Sequence, residues 1–391
     1  MTHRNHLVFL GLSGFPIGMA AIQRQRLIAK GLIENGWDVT VVCPRATHPE
    51  NVKLKRVGRF EGIVYVYLFG PQRNKNFFIR NSQKLVAPFK EFCLLQRLKS
   101  KKGINAAIVS NRNSFTAAIK YRLVSWLLRF KLLINLVEIY KDREQTPLLL
   151  KVNDFFFNNF GLYFFDAFLP ISEHIRDSFA RFNKKNELIP IITDYDYINA
   201  LPVITKREKP FFLFCGSASY LKSIRFIIEA FSLVKDREVE LILVTNGSSA
   251  EMEVIHALIA NKALKNRVII LKNIPEEELY SLYKTAKALL LPMFNTIQDT
   301  ARFPHKMAEY LASGTIVISN PIGEVGKYLR NGKSALLSNV NDVIAFSEKM
   351  NWIMDNKNQV KEIAENGTVI SRNNFDFKVL SMKMSVFLSS I

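Results

Sequence analysis

Short, mostly apolar runs alternate with helix-like stretches along almost the whole chain. This rhythm is typical of βαβ units, in which parallel strands are joined by helices that cover the sheet. We therefore expect an α/β fold with mainly parallel sheets. The runs that predict strands are Leu7–Leu12, Val39–Cys43, Val64–Phe69, Ala106–Ser110, Leu132–Val137, Ala167–Ile171, Phe211–Cys215, Leu241–Thr245, Val268–Leu271, Ala288–Pro292 and Ile316–Ser319.

A polar segment bounded by prolines, Leu201–Lys209, interrupts this rhythm near the middle of the chain. The 391 residues suffice for two domains that each bury a core. We place an N-terminal domain at residues 1–203 and a second domain at residues 204–374, each a Rossmann-like unit, with a cleft between them. The helical pattern of residues 375–391 follows the second domain.

Composition restricts the class of protein. Hydrophobic residues make up 48% of the chain, which excludes general disorder. The three cysteines, Cys43, Cys93 and Cys215, are too far apart for a disulfide framework or a metal site, and this fits a reducing compartment. We find neither a signal peptide nor a transmembrane pattern, so we expect a cytoplasmic protein.

Positive charge is concentrated in the first half. Residues 1–205 contain 30 Lys and Arg against 15 Asp and Glu, whereas residues 206–391 contain 24 against 19. Such an excess favours an anionic partner, either phospholipid headgroups or nucleic acid. No nucleic-acid recognition module is evident, so we expect no nucleic-acid partner.

The segment 302–314, with the sequence RFPHKMAEYLASG, lies between two of the predicted strands. Pro304 suits the first turn of a helix, and Gly314 suits its end, where a positive φ is favoured. Lys306 and Glu309 place opposite charges at the opening of this helix. Ligands of open α/β sheets bind at such strand-to-helix connections.

Five motifs follow one another along the second half of the chain. They are Gly216 with Lys222, Asn246-Gly247, Ile274-Pro275 with Glu278-Leu279, the segment 303–314, and Gly323-Glu324 with Asn331-Gly332. Together they resemble the nucleotide-sugar-binding domain of GT-B-fold glycosyltransferases, in particular retaining family four, glycosyl transferases group 1, which builds bacterial surface polysaccharides. The resemblance implies two Rossmann-like domains and a C-terminal helix, within residues 375–391, that crosses back to the first domain.

The resemblance assigns roles to individual residues. Glu309 falls on the glutamate that accepts hydrogen bonds from both ribose hydroxyls, which a carboxylate does well because its charge strengthens them. Lys222 falls on the lysine that neutralises the departing diphosphate. Lys306 and Arg302 are further catalytic candidates. Residues implied to contact the nucleotide-sugar are Gly216, Ser217, Ile274, Phe303, Pro304 and, in the first domain, Gly14 and Gly18.

Each of these residues also has a purely structural interpretation. Glu309 is also a surface acid one turn from Lys306, and Lys222 is also a solvated lysine at a helix start. Gly14 and Gly18 flank a turn that steric reasons alone would explain, although glycines also allow close backbone approach to an anion. Glu138 is a weaker catalytic candidate.

Two positions depart from the family pattern. Ser217 stands where the family has an arginine, and Ala301 stands where it has a first glutamate near the donor sugar. Lys306, Arg302 or Arg225 would then supply the missing cation, and Asp299 would stand near the sugar. The resemblance implies no bound metal or other cofactor, with a nucleotide-sugar such as a UDP- or GDP-sugar as substrate. The histidines show no ligand spacing.

The segment 74–103 is the best candidate for contact with a membrane. Leu85, Phe89 and Phe92 recur at helical spacing among many basic residues, and a basic amphipathic helix binds an anionic leaflet. Pro88 predicts that the regular helix begins there. The alternative is a helix packed on its own domain with a solvated basic face.

Together these observations predict a retaining hexosyltransferase that is peripheral on the inner face of the cytoplasmic membrane. It would move a sugar from a nucleotide-sugar to a lipid-linked glycan in capsule, exopolysaccharide or O-antigen assembly. The alternative is a non-catalytic nucleotide-sugar-binding or scaffold protein of a polysaccharide assembly complex, for which Ala301 and Ser217 argue.

Overall fold

The chain folds into two α/β units. The structure is a computed structural model in which residues 4–49, 51–110, 113–139, 147–205 and 207–391 are described. The first unit contains residues 1–192 and 377–391, and the second contains residues 193–376.

The first unit is built on one sheet. Within its described residues the sheet has eight strands in the order β3-β4-β2-β1-β5-β6-β7-β8, and neighbouring strands are parallel except β3 and β4. Its strands are β1 (His6–Leu10), β2 (Asp38–Cys43), β3 (Val57–Phe60), β4 (Ile63–Tyr67), β5 (Ala106–Val109), β6 (Lys131–Leu136), β7 (Ala167–Pro170) and β8 (Lys185–Asn186). Its helices up to this point are α1 (Ala20–Glu34), α2 (Phe77–Lys102), α3 (Phe115–Leu128), α4 (Leu148–Phe160) and α5 (Glu173–Ser178).

The second unit has a smaller sheet. The part of this unit that the structure describes holds six parallel strands in the order β11-β10-β9-β12-β13-β14. These are β9 (Phe211–Cys215), β10 (Glu240–Val244), β11 (Val268–Leu271), β12 (Ala288–Leu291), β13 (Val317–Ser319) and β14 (Leu336–Leu337). The helices are α6 (Tyr195–Ala200), α7 (Leu221–Ser232), α8 (Ser249–Asn261), α9 (Glu276–Thr285), α10 (Ile297–Ala301), α11 (Lys306–Ala312), α12 (Glu324–Tyr328), α13 (Val343–Asp355) and α14 (Lys357–Phe375).

The apolar runs became strands because both of their faces are covered. Central strands such as β1 and β5 are buried at every residue, as expected of parallel strands with helices on either side. The predicted α/β class and the parallel sheets are therefore confirmed. Short strands at the sheet edges, such as β3 and β8, were not predicted because they are only four and two residues long and mostly exposed.

The last helix, α15 (Phe377–Ser389), belongs to the first unit. It packs on α1, where Gly31 leaves room for the side chain of Ser381. The indole of Trp37 donates a hydrogen bond to Ser385 Oγ at 2.9 Å. Phe377 and Leu380 are buried in the core of the first unit. The C-terminal helix thus returns to the first unit, as the resemblance implied.

The chain leaves the first unit between Ile192 and Thr193, which is earlier than the predicted boundary at residues 203 and 204. The reason is that Thr193 already bonds within the second unit, where its N–H donates to Phe375 O at 2.9 Å. The polar segment 201–209 lies inside the second unit, where two of its backbone N–H groups, those of Ile204 and Thr205, donate to Ser281 Oγ.

Helix α2 corrects the prediction that regular structure would start at Pro88. The helix begins at Phe77 and continues through Pro88 to Lys102. The side chain of Asn76 caps it by accepting hydrogen bonds from the N–H groups of Phe78 and Ile79. Proline removes one helical hydrogen bond, and here the residues around Pro88 are exposed, so water can satisfy the carbonyl left over. Among the described residues, no helix combines the length and apolarity that crossing a bilayer requires.

Candidate functional site

The second sheet has its topological switch point between β9 and β12. From β9 the chain runs outward through β10 and β11, and it then returns to the other side of β9 with β12. The connections that follow β9 and β12 therefore diverge and leave a crevice at the carboxyl edge of the sheet, where open α/β sheets bind ligands. Most of the predicted site residues lie on these two connections.

The connection from β9 to α7 carries Gly216, Ser217 and Lys222. The N–H of Gly216 donates to Val244 O at 3.1 Å, and the N–H of Ala218 donates to Asn246 O at 3.0 Å. These bonds join the loop to the connection that follows β10. Ser217 is exposed and its hydroxyl lies 2.8 Å from that of Ser219. The first turn of α7 adds the partial positive charge of a helix N-terminus.

Two cations from different connections lie close to this loop. The ammonium of Lys222 lies 4.2 Å from the ring centroid of Phe294, and the guanidinium of Arg302 lies 4.8 Å from that of Tyr220. Aromatic faces attract cations in this geometry. The buried carboxylate of Asp299 accepts hydrogen bonds from Arg302 Nη2 at 2.7 Å and from the Phe294 N–H at 2.8 Å. Asp299 thereby fixes both Arg302 and the ring beside Lys222.

Lys306 and Glu309 form an ion pair on α11. Lys306 Nζ lies 2.7 Å from Glu309 Oε2, and both side chains are partly exposed, at 30% and 24%. Within the described residues the second oxygen, Oε1, accepts no hydrogen bond. The next residue, Tyr310, accepts a hydrogen bond from the N–H of Cys215 at 2.9 Å. Helix α11 is thus held against the end of β9, beside Gly216.

The surroundings of α11 favour a permanent positive charge on Lys306. Burial, the largest single influence, would lower the pKa of Lys306. The interactions with Glu309, Cys215 and Glu276 together outweigh it, so the pKa is raised above its ordinary value of 10.5. Burial raises the pKa of the Tyr283 and Tyr310 phenols as well. Both tyrosines therefore stay neutral at physiological pH, and Lys306 stays protonated.

Phe303 and Pro304 lie differently from expectation, and the contact predicted for Ile274 stays a prediction. The ring of Phe303 is buried between those of Tyr328 and Phe375, at 5.4 and 5.5 Å, so its side chain packs inside the unit. Pro304 starts a turn, since its carbonyl accepts from the Met307 N–H at 3.0 Å, and the helix proper begins at Lys306. Ile274 is partly buried, just before α9 on the connection from β11.

The residues at the two departures from the family pattern are small. Ala301 is buried at the end of α10, and Ser217 ends in an exposed hydroxyl. Asp299, two residues before Ala301, bonds Arg302 and the Phe294 N–H, and its expected place near the sugar stays a prediction. Arg225 lies exposed on α7.

Gly14 and Gly18 belong to the first unit. Their loop follows β1, and β1 and β5 flank the switch point of the first sheet. Gly14 has φ +117°, a conformation that favours glycine, and a Cβ on Gly18 would lie 2.8 Å from the Cβ of Ile22. Gly18 therefore has a packing reason to be glycine. Glu138 follows β6, and its carbonyl accepts from Asn113 Nδ2 at 3.0 Å.

The sequence pointed to the charged residues and missed their aromatic neighbours. Phe294 and Tyr220 were not predicted as part of the site because a single aromatic residue after a strand is indistinguishable from a core residue. The spacing of Asp299 and Arg302 was an available signal, since an acid and a base three residues apart often pair on a helix.

Comparison with known proteins gives a family match for the second half of the chain and one curated relative. Residues 202–369 match the family described as Glycosyl transferases group 1. Over 176 residues the chain is 31% identical to the O-antigen chain mannosyltransferase RfbU of Salmonella typhimurium, and the aligned part covers 44% of this chain and 47% of that relative. The chain thus spans about half the length of that mannosyltransferase.

Solved structures show the same fold over the whole chain. Sucrose-phosphate synthase from Thermosynechococcus elongatus superposes with a TM-score of 0.74 at 17% identity, covering 99% of both chains. Anabaena Alr3699/HepE, solved in complex with UDP and glucose, gives 0.72 at 16% identity, covering 99% of this chain and 100% of its own. At such identities the likeness establishes fold alone. The solved structures thus show the GT-B glycosyltransferase fold for the chain, and residues 202–369 match the family of glycosyl transferases group 1.

Proposed function

We propose that the protein is a retaining hexosyltransferase that moves a sugar from a UDP- or GDP-sugar to a lipid-linked glycan. The observation that carries this proposal is the meeting of Lys222, Arg302 and Glu309 around the end of β9. Two fixed cations and one carboxylate at a switch point suit a ligand with two phosphates and a ribose. The relatives that bind UDP or build O-antigen support the same reading.

Lys222 and Arg302 would hold the diphosphate. When the bond between the sugar C1 and the diphosphate oxygen breaks, negative charge grows on the leaving group. Cations that are already in place stabilise that charge without reorganisation. The acceptor oxygen then bonds to C1, and its proton passes to the departing diphosphate.

Arg302 would replace the family arginine that Ser217 lacks. Its guanidinium lies over Tyr220, which follows Ser217 in the same short loop, and the N–H of Tyr220 donates to Ser217 O at 3.0 Å. The ion pair with Asp299 limits the rotamers of Arg302. A pre-positioned guanidinium loses less entropy when it binds a phosphate.

Glu309 would bind the ribose. Its Oε2 is held by Lys306, and its Oε1 is left to accept from the ligand. The Lys306 ammonium orients the carboxylate, and charged acceptors form the stronger hydrogen bonds. Gly216, Ile274 and Pro304 would contribute backbone at the same edge.

The acceptor would bind the first unit, beside the loop from Gly14 to Gly18. An acceptor anchored in the cytoplasmic membrane would bring the protein to the inner face of that membrane. The excess of basic residues in the first half of the chain supports a peripheral association with anionic lipid.

A screen of nucleoside diphosphates and their sugars tests the donor site. We expect one nucleotide class to raise the melting temperature at millimolar concentration, because a ligand that binds only the folded state stabilises it. The Lys222→Ala and Arg302→Ala variants should lose that shift, and Arg225→Ala should keep it. A shift that is equal in all four proteins would contradict the site.

Turnover tests the role of Arg302. Removing one preorganised donor costs about a hundredfold or more in rate, so we expect that loss in Arg302→Ala. If Arg302 substitutes for the missing arginine, adding Ser217→Arg to this variant should restore part of the activity. Unchanged turnover of Arg302→Ala would remove Arg302 from the mechanism. A loss of turnover that Ser217→Arg does not restore would contradict the substitution of Arg302 for the missing arginine.

The second candidate function is a non-catalytic nucleotide-sugar-binding protein. Ala301 and Ser217 favour it, because both family side chains at these positions are absent. Donor binding without release of nucleoside diphosphate, in the presence of a lipid extract from the native membrane, would support this candidate.

A further inference from the structure

The outer surface of α2, α3 and α4 is unusually apolar for a surface exposed to water. About half of the large apolar side chains that are exposed in the described chain lie on these three helices. We call this surface the α2–α4 face. Its exposed apolar residues are Phe77, Phe78, Ile79, Leu85, Val86, Phe89, Leu123, Trp126, Leu127, Leu148, Leu149, Val152, Phe155, Phe156 and Phe160.

Helix α4 shows the pattern most clearly. Its outer side presents Leu149 at 83% exposure and Phe155 at 60%. The opposite side buries Phe157 and Asp154 in the unit. The side of α4 that faces solvent is therefore more apolar than the side that faces the unit. A helix that only covers a sheet shows the opposite arrangement.

The three helices are neighbours in the first unit. Glu91 on α2 pairs with Lys120 on α3 at 2.7 Å, and Tyr121 also donates to Glu91 at 3.1 Å. The rings of Phe115 on α3 and Phe156 on α4 lie 5.5 Å apart. The exposed apolar residues are therefore carried by helices that contact one another. Exposed apolar residues that are grouped in this way mark surfaces that bind a membrane or a protein.

Charge distinguishes between these partners. Over their described residues α2, α3 and α4 carry only two acidic side chains, Glu91 and Asp154, and both are buried. The same helices expose lysines such as Lys84, Lys101 and Lys151. Helices that expose apolar and basic side chains but no carboxylate complement an anionic bilayer, where long basic side chains reach the headgroups while apolar ones enter the acyl boundary.

We propose that the α2–α4 face lies in the interfacial layer of an anionic phospholipid bilayer, with the outer side of α4 inserted among the acyl chains. The α2–α4 face would thus be the surface used in the membrane association proposed above. This inference rests on the proposed function, in which membrane binding brings the first unit to a lipid-linked acceptor. Apolar insertion, added to charge, makes binding persist at salt concentrations that screen charge alone.

Sedimentation with vesicles of stated composition tests the surface. We expect the full chain to bind vesicles of phosphatidylcholine with phosphatidylglycerol, and to bind vesicles of phosphatidylcholine alone less well. Leu149→Ser combined with Phe155→Ser should lower the partition coefficient by about tenfold or more, because two large apolar side chains lose their burial. Lys84→Glu combined with Lys101→Glu should weaken binding mainly at low salt.

Matched variants separate this effect from general loss of apolar surface. Ile344 and Val369 are comparably exposed on the second unit, so Ile344→Ser with Val369→Ser should bind vesicles like the natural sequence. All variants should keep the same melting temperature and the same nucleotide-induced shift. That shift involves no lipid, so its loss would count against the donor site and leave the α2–α4 face unaffected.

Three results would overturn the proposal. The protein would remain unbound to anionic vesicles at low salt, or the serine variant would bind as well as the natural sequence. Alternatively, the protein would associate with itself, and the serine variant would turn that oligomer into a monomer without any vesicle binding. The last result would make the face a contact between copies of this chain.

Discussion

At the scale of single residues, the site depends on side chains that fix one another. Lys306 holds Glu309, and Asp299 holds Arg302 while also bonding the backbone beside Phe294. Each charged group that is proposed to touch the donor therefore has a neighbour that limits its rotamers. Such support allows binding groups to act without a further entropy cost when the ligand arrives.

The ribose role of Glu309 leads to a specific expectation for Glu309→Gln. The variant keeps the size and removes the charge, and hydrogen bonds to charged groups contribute about 1.5–3 kcal/mol. We expect the dissociation constant of the nucleoside diphosphate to rise about ten- to a hundredfold in calorimetry. The variant should also lose the preference for ribose over a 2′,3′-dideoxyribose nucleotide.

Glu365→Gln is the control for this change. Its carboxylate lies on α14, is 67% exposed and is 3.9 Å from Lys361, so nucleotide affinity should not change. Unaltered affinity in Glu309→Gln would show that the carboxylate does not touch the ligand.

His6 provides a pH-dependent contribution to stability. Burial lowers the pKa of His6 from its ordinary value of 6.5, and the backbone bond to Gly103 only partly opposes this. The unfolded state therefore takes up the proton first as pH falls. Stability is fully present above pH 6.5 and decreases below it, by at most about 1.4 kcal/mol per pH unit for one group.

Urea unfolding at pH 7.0 and 5.5 measures this decrease. His6→Gln does not titrate, so its free energy of unfolding should fall less between the two pH values, even if it is lower at both. Because burial also lowers the pKa of His48, part of the dependence should remain. Equal dependence in both proteins would rule out His6 as a source.

The sequence predicted individual residues well where local backbone rules apply. Gly314 has φ +79°, as its position after a helix requires. Motif resemblance was less informative about side-chain direction, and Phe303 is the example. A motif records that the position is apolar, but whether the ring faces ligand or core depends on Tyr328 and Phe375, which approach it only in the folded unit.

At the scale of elements, the connections after β9 and β10 pack so closely that one of them must lack a side chain. An added Cβ on Gly247 would lie 2.3 Å from the Cβ of Ala218. This contact sets the distance between the loop that bears Ser217 and the loop that bears Asn246. Spacing of the motifs predicted both loops, but their contact depends on sheet order, which local sequence does not specify.

Gly247→Ala should therefore destabilise the protein and disturb the donor site together. Overpacking of this kind costs about 1–3 kcal/mol, and the displaced loop should weaken nucleotide binding. The double variant Gly247→Ala with Ala218→Gly removes the clash with Ala218 and leaves the end of the Glu251 side chain, whose Oε2 lies 2.8 Å from the added Cβ, to move aside. Chemical denaturation and calorimetry should therefore show recovery of much of both properties. Additive losses in the double variant would contradict the contact.

Helices were predicted more reliably than the use of their faces. Residues 343–355 fold as the predicted helix, because period and caps are local signals. The outer side of α4 was not predicted to be exposed, since an apolar helix reads as core from sequence alone. Only the fold shows that Phe157 occupies the interior and leaves Leu149 and Phe155 outside.

At the scale of the whole molecule, the first unit is completed by a helix that follows the second unit in the chain. Leu380 on α15 is buried in the first unit's core. Leu380→Ala should lower the stability of that unit by about 2–5 kcal/mol, because it leaves a cavity. Hydrogen exchange should rise in α1 and α15 and stay unchanged in β9 and β12.

Met382 on the same helix is 61% exposed, so Met382→Ala is the control and should leave exchange unchanged. Faster exchange throughout both units in Leu380→Ala would contradict the assignment of α15 to one of them. The sequence predicted this helix, and the resemblance implied that it packs on the first unit. No local pattern indicates that it packs against Gly31 on α1.

The return of α15 also bears on how the protein is made. During synthesis the strands of the first unit leave the ribosome early. Helix α15, whose Phe377 and Leu380 are part of their core, emerges only after residues 193–376. The second unit can therefore finish folding while the first unit still lacks helix α15. The nascent first unit therefore exposes apolar surface while residues 193–376 are being translated, and chaperones bind such surface.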